Sequence, residues 1–448
     1  MAFFRNRNGS RWQDAAVPME GSPRDFDPLL SWIGDDCRFV LIGEASHGTH
    51  DFYRMRAQIT KRLIAEHGFT AVMVEADWHD AYRVNRYVRG TEDDGDAADA
   101  LAGFKRFPQW MWRNADVLDF VGWLREHNDA RRGDSPACGF YGMDLYSLHE
   151  SMNEVIRYLD RTDPEGARRA RERYGCFADF GDDPQHYGYA ASLYVDRSCQ
   201  EQVVQQLVEL QRRAAERFTP DGKCPEDEHF FAEQNARLVK NAERYYRSMF
   251  EGRTSSWNLR DRHMVETLGA LVDHLDCSHG AGKTRVAVWA HNSHLGDARA
   301  TEMGEGGEVN VGQLVRERWP GQAFNVGFST YAGSVTAASN WGSPAERKRV
   351  RPGLRGSYEA LFHDAGIGRF YLDLRDRRDD AELRGPRLQR AIGVIYLPET
   401  ERQSHYFHAR LPEQFDVMIH LDETRFVEPL ERTAPFVPEA AETYPTGV

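Results

Sequence analysis

Apolar residues along the chain gather into short runs bounded by turn formers, at 38–43, 71–74, 139–143, 285–290, 325–328, 369–374, 393–397 and 416–421. These runs are rich in Val, Ile, Phe and Tyr. A continuous apolar run of that length reads as a strand buried on both faces, the mark of a parallel sheet. Stretches with helical period lie between several of them, at 51–67, 80–89, 115–127 and 357–364. In the first of these, Phe52, Met55, Ile59 and Leu63 recur at helical spacing and form a core-facing stripe. Arg56 falls at the edge of that stripe, and Arg54 points away from it. Strand and helix in alternation predict an α/β fold, with a central, mostly parallel sheet flanked by helices.

The pattern changes in the middle of the chain. No strand is evident from 148 to 277, and long helical patterns cover 148–160, 197–218, 228–251 and 256–277. Pro and Gly within 218–225 break two of them. The expected organisation is a first α/β part over 25–147 and an inserted all-helical cap or second domain over 148–280. A second α/β part then covers 281–430, with tails at 1–24 and 431–448. The acidic run 92–99 reads as a solvated loop. So does the basic cluster Arg347, Lys348, Arg349 and Arg351, which runs into Pro352 and Gly353.

Composition narrows the function. The 448 residues are ample for a large core. Lys and Arg number 57 against 70 Asp and Glu, a net charge of −13. That balance argues against nucleic acid or an anionic membrane as partner. No apolar stretch approaches the roughly 20 residues that span a bilayer, and the arginines near the N-terminus precede no apolar run of a secretory signal. Cys37, Cys138, Cys176, Cys199, Cys224 and Cys277 show no paired spacing. They are expected to be buried thiols in a reducing cytoplasm rather than a disulfide framework or a zinc cluster.

Polar chemistry collects where the predicted strands end. The first strand runs into Glu44, His47 and His50, the second into Glu75 and Asp77, the third into Asp144, and the fourth into His291 and His294. Ligands of open α/β sheets bind outside the carboxyl ends of the strands, so ionisable residues there predict an active site at that edge. Each taken singly also reads as a structural cap, and Arg56 as the partner of Glu44 or Glu75. Glu44 and His47 have the spacing of a di-iron ligand pair, but such pairs project from bundle helices and Glu44 closes a strand. His47, His50, His291 and His294 could share a zinc ion, although no His-Glu-x-x-His or Cys-rich pattern supports one. The Gly-x-Ser-x-Gly elbow of a serine hydrolase, the dinucleotide glycine motif and the Walker A motif are all absent.

At these residues the chain resembles the erythromycin esterase family. The matching stretches are 41–47 (LIGEASH), 67–75 (HGFTAVMVE), 289–294 (WAHNSH), 325–331 (NVGFSTY), 401–407 (ERQSHYF) and 415–429, so the likeness covers about 25–430. It implies an α/β domain with an inserted helical domain, and a hydrolase that opens macrolide lactones without a covalent serine, an antibiotic-resistance activity of bacteria. By position His47 would be the general base, with Glu44, Glu75 and His291 also catalytic. Arg56, His294, His50 and Asp144 would be the substrate contacts. No cofactor is expected beyond an optional divalent metal, and the partner would be a small ester or lactone. The residues after His47 and the Trp-rich stretch 110–114 depart from macrolide-cleaving members. A non-hydrolytic enzyme of natural-product assembly (elimination or acyl transfer) and a ligand-binding relative without turnover are the alternative readings.

Overall fold

A computed structural model describes residues 11–91, 94–133, 136–180, 184–193, 198–217, 227–250 and 252–431. The predicted break at 218–225 lies outside these residues. The strands are β1 (Val17–Pro18), β2 (Phe39–Ile42), β3 (Ala71–Asp77), β4 (Gly139–Asp144), β5 (Val286–Trp289), β6 (Ala323–Ala337), β7 (Glu346–Val350), β8 (Arg369–Asp373), β9 (Arg387–Arg390), β10 (Tyr406–Ala409) and β11 (Val417–Thr424). The main sheet runs β1-β8-β11-β6-β2-β5-β3-β4, with β7 added to the long strand β6. From β11 to β4 every neighbouring pair is parallel. Strands β8 and β1 continue the sheet antiparallel at one edge. The α/β, mostly parallel architecture read from the apolar runs is the one found.

Side chains alternate across the sheet as a pleat requires. Val40 and Ile42 join one core with Val72, Val74, Ala287 and Trp289, packed under the helices His50–His67, Trp78–Arg89 and Ala115–Ala130. Phe39 and Leu41 join the opposite core with Met73, Val286 and Val288. That second core is closed by the helices inserted between β4 and β5. They are Leu148–Thr162, Pro164–Tyr174, Pro184–Leu193, Gln200–Arg217, Asp227–Ser248 and Arg253–His279. The inserted helices therefore lie flat on one face of the sheet and share its core.

Three topological facts position the site. All six parallel strands present their carboxyl ends at one edge. The chain enters the parallel part of the sheet at β2, moves outward to β3 and β4, and then returns through the helices to lay β5 between β2 and β3. Next it crosses to the other side of β2 as β6, so the order reverses around β2 and β5. A crevice opens where neighbouring connections leave in opposite directions.

Several expectations are corrected. The run 393–397 is not a strand: residues 393–396 are buried and Leu397 is exposed, and the run holds only an isolated bridge of Ile395 with Ala338, next to one of Ile392 with Ser46. Burial makes it apolar without a ladder. In the acidic run, Asp94 grips Arg83 and Asp96 caps the short helix Ala97–Ala100, while residues 92 and 93 lie outside the described residues. Arg347, Lys348 and Arg349 of the basic cluster lie on the edge strand β7, where Lys and Arg discourage further pairing, and Arg351 follows it. The N-terminal tail is partly built in, since Trp12 is fully buried against Phe362 and Phe370. Cys176 is bonded to Cys199, and Cys277 is disulfide-bonded as well, so of the described cysteines only Cys37 and Cys138 are the buried thiols expected. Among the described residues no helix is long and apolar enough to cross a membrane.

Candidate active site

The turn after β2 is fixed from both sides before any chemistry is considered. A Cβ on Gly43 would strike the Asn292 side chain, and one on Gly48 would strike the Thr336 carbonyl, so only glycine allows these approaches. His47 N–H donates to the Ile392 carbonyl, and Ile392 N–H returns to Ala45. Asn292 N–H donates to the Glu44 carbonyl, which ties the ends of β2 and β5 together. The turn is thus held by the non-strand run 391–396 and by the β5 end.

His47 is buried, and its Nδ1 lies 2.9 Å from Glu44 Oε1. A carboxylate accepts only, so the proton between them belongs to Nδ1, and Nε2 is left as the basic nitrogen. The His47 ring lines a cavity that it shares with Glu75, Asp77, Asp80, Asp144, Tyr146, Arg106 and Arg260. On the far side of Glu44, Arg56 is fully buried with Nη2 3.3 Å from Oε2. Its guanidinium sits 4.4 Å from the Tyr53 ring and 4.9 Å from that of Trp289. Arg56 therefore stands behind Glu44, on the side away from His47, and is not part of the cavity lining.

Glu75 anchors a second cluster. Its Oε2 accepts from the His291 backbone N–H at 2.9 Å, and Oε1 accepts from Arg260 Nη2 at 2.6 Å. Arg260 also grips Asp144 through Nε at 3.0 Å and Nη2 at 2.7 Å. His294 Nδ1 meets Asp261 Oδ2 at 2.9 Å, its Nε2 lies 3.3 Å from Glu75 Oε1, and its ring stacks on Trp257 at 4.5 Å. Burial works against charge on both Glu75 and His294. The neighbouring His294 and Arg260 nonetheless hold the Glu75 carboxyl well below its ordinary range. Asp261 and Glu75 in turn raise His294 to about 9. This favours the protonated ring of His294, which is absent from the cavity lining.

His291 behaves oppositely. Its Nδ1 accepts from the Ser293 backbone N–H at 3.2 Å and lies 2.8 Å from Ser293 Oγ, so its proton resides on Nε2. Its ring centre is 4.9 Å from that of His47. Burial and the neighbouring His47 push it well below the ordinary histidine range. It is a neutral imidazole packed beside His47 and outside the cavity lining. His50 is farther away, at the start of the helix His50–His67, where Nδ1 lies 2.8 Å from Asp116 Oδ2; it ties two helices together and does not reach the cavity. Asp144 does line the cavity, as expected.

Arg260, Asp261 and Trp257 were not foreseen. All three come from the inserted helix Arg253–His279, far in sequence from the strand ends. A signal existed, because Trp257, Met264, Leu268, Leu271 and Leu275 form an apolar stripe, and Arg260 with Asp261 fill its one charged gap. Charges on a buried stripe need partners, and here they find Asp144, Glu75 and His294. The outer wall of the cavity comes from Phe104, Phe107, Met111, Trp112, Trp341 and Val394. Among the described residues no three His, Cys, Asp or Glu side chains are arranged to hold a metal ion.

Comparison with known proteins agrees with the fold. The family described as erythromycin esterase matches residues 64–424. The chain is 20% identical over 404 residues to the putative hydrolase YbfO of Bacillus subtilis (strain 168), covering 86% of this chain and 83% of that protein. It is 21% identical over 420 residues to erythromycin esterase type II of Escherichia coli, covering 90% and 93%. Among solved structures, a mutant of the erythromycin esterase EreC in its open conformation superposes with a TM-score of 0.64 at 17% identity, over 91% of this chain and 97% of that one.

Proposed function

Because this chain belongs to the erythromycin esterase family, we propose that it is an esterase-type hydrolase that cleaves a small-molecule ester or lactone with water, His47 serving as general base. One observation carries the reading: His47 is held at Nδ1 by Glu44 while its ring lines the cavity. Nε2 is then the nitrogen available to take a proton from water, a step worth about 10² to 10⁴-fold in rate. Glu44 stabilises the imidazolium that forms, and buried Arg56 holds Glu44 from its other oxygen. The oxyanion of the tetrahedral intermediate meets Arg260. Its Nε and Nη2 hydrogens serve Asp144 and Glu75, and neither carboxylate uses the hydrogens of Nη1. Glu75 fixes Arg260 and the β5 end together. Ser46 is buried against Thr49 and does not line the cavity, which favours water over a serine nucleophile.

The test is a panel of aryl esters and lactones with product masses read by mass spectrometry, run on protein before and after dialysis against EDTA. Hydrolysis products, with 18 Da gained by the substrate and turnover surviving EDTA, are expected. Elimination or acyl-transfer products would replace hydrolysis with another reaction at the same site. Loss of turnover in EDTA, restored by a stoichiometric divalent metal, would transfer activation of the water from His47 to the metal.

A further inference from the structure

A second cavity lies apart from the one beside His47, and among the described residues the two share no lining side chain. It measures about 190 Å³. A cavity of about 150 Å³ accepts a benzene ring, so this one has room for a single ring bearing a small polar group. Trp257, Met303, Tyr406 and Phe407 give it apolar walls. Two of these belong to the stretch 401–407, to which the proposed hydrolysis gives no role.

Two polar side chains of the same lining, Gln414 and His405, have open positions among the described residues. Gln414 is 1% exposed, and its Oε1 is buried with no hydrogen-bond partner. The side chain is packed across Gly296, where an added Cβ would stand 2.6 Å from its Cγ. His405 is 3% exposed. Its Nε2 accepts from the Leu397 N–H at 3.1 Å, which places the ring proton on Nδ1. Nδ1 is buried without a partner as well; the Ala391 carbonyl bears on its titration but does not stand in hydrogen-bonding geometry. Burial lowers the ring to about 4, so it is neutral at pH 7. The charged groups of this lining meet one another or a neighbour: Glu308 lies 3.1 Å from Arg253, and Glu302 lies 2.9 Å from His408. A buried acceptor and a buried donor left open are costly. A neutral molecule that offers one donor and one acceptor beside a ring satisfies both.

We propose that this cavity is a binding site in its own right, taking a compact, neutral, single-ring molecule with a carboxamide-like group whose N–H donates to Gln414 and whose carbonyl accepts from His405. The proposal does not rest on the hydrolase reading, since none of Glu44, His47, Glu75 and Arg260 lines this cavity.

Methionine methyl NMR tells the two cavities apart, because Met303 lines this one and Met111 the other. The intact protein carries isotope-labelled methionine methyl groups, and Met303→Leu and Met111→Leu assign the two signals. Benzamide titrated at pH 7 is expected to shift the Met303 signal saturably and to leave that of Met111 in place. Acetophenone has the same shape without the N–H, and benzoate has the same shape with a charge. Both are expected to bind about fivefold more weakly or worse. Gln414→Leu should weaken benzamide by about fivefold or more and leave acetophenone unchanged, with thermal unfolding confirming the fold. No movement of Met303, movement of Met111 alone, or binding of acetophenone or benzoate as tight as that of benzamide would overturn the proposal on the unaltered protein, whether or not the variant folds. A folded Gln414→Leu protein that binds benzamide as before would do the same.

Discussion

Glu44 and Glu75 each serve a histidine, and their surroundings give the histidines opposite characters. Glu44 accepts from His47 and takes its countercharge from Arg56, so the base is oriented while its Nε2 remains free to act. Replacing His47 with Ala should lower turnover of an established substrate by about 10² to 10⁴-fold with the melting temperature little changed. A well-folded variant with full turnover would remove His47 from the mechanism. The other two histidines leave a signature in stability. His294 is raised to about 9 from an ordinary 6.5, so its contribution is fully present below 6.5 and is lost as pH rises through about 9. His291 is pushed well below 6.5, so its contribution is present above 6.5 and is lost as pH falls toward its lowered value. Together they predict a stability maximum near pH 6.5, measurable as melting temperature from pH 5 to 9.5. His294→Gln should flatten the alkaline limb only. A limb that is level from 6.5 to 9 in the unaltered protein would contradict the His294 assignment.

At the scale of elements, the helix Arg253–His279 completes a site that the strands begin. Trp257, Arg260 and Asp261 reach the ends of β3, β4 and β5 because the inserted helices lie on the sheet face that carries Phe39, Leu41 and Met73. Arg260 bridges Glu75 and Asp144, both buried. Arg260→Met should therefore destabilise the protein by about 3–5 kcal/mol, because it strands two buried carboxylates. Denaturant unfolding followed by circular dichroism measures this directly. Arg260→Lys keeps the charge but loses the fork, so it should recover part of the stability and much less of the turnover. A cost under about 1 kcal/mol for Met would mean that the cluster is wetted by solvent or less charged.

At the scale of the molecule, the helices between β4 and β5 are stapled to one another as well as to the sheet. The Cys176–Cys199 bond closes a loop of 23 residues across the helical segment. A loop of that size is worth about 3 kcal/mol through restriction of the unfolded chain. Paired cysteines also suit an oxidising setting better than the reducing one expected from their scattered spacing. Cys176→Ser/Cys199→Ser should lower the unfolding free energy by about 2–4 kcal/mol while leaving kcat close to its starting value, since neither residue lines the cavity. Titration of free thiols in the native and the denatured protein checks the pairing independently. Six reactive thiols after denaturation without reductant would refute it.

The sequence by itself determined the strands of the parallel sheet, the helical character of 148–277, and Glu44, His47, Glu75 and Asp144 as neighbours at one edge. Each follows from local physics: an apolar run flanked by turn residues makes a buried strand, and polar residues just past it must sit at the sheet's carboxyl edge. The run 393–397 shows where that reasoning stops, because burial on both sides produces the same apolar composition with or without a ladder. The tertiary structure alone decided that Arg56 backs Glu44, that His50 turns to Asp116, and that His294 is raised by Asp261 and Glu75. It alone brought Arg260 to the cavity across 185 residues from Glu75. A side chain's protonation and reach depend on which charges other segments bring within a few ångströms. Those distances are set by packing between elements far apart in the chain.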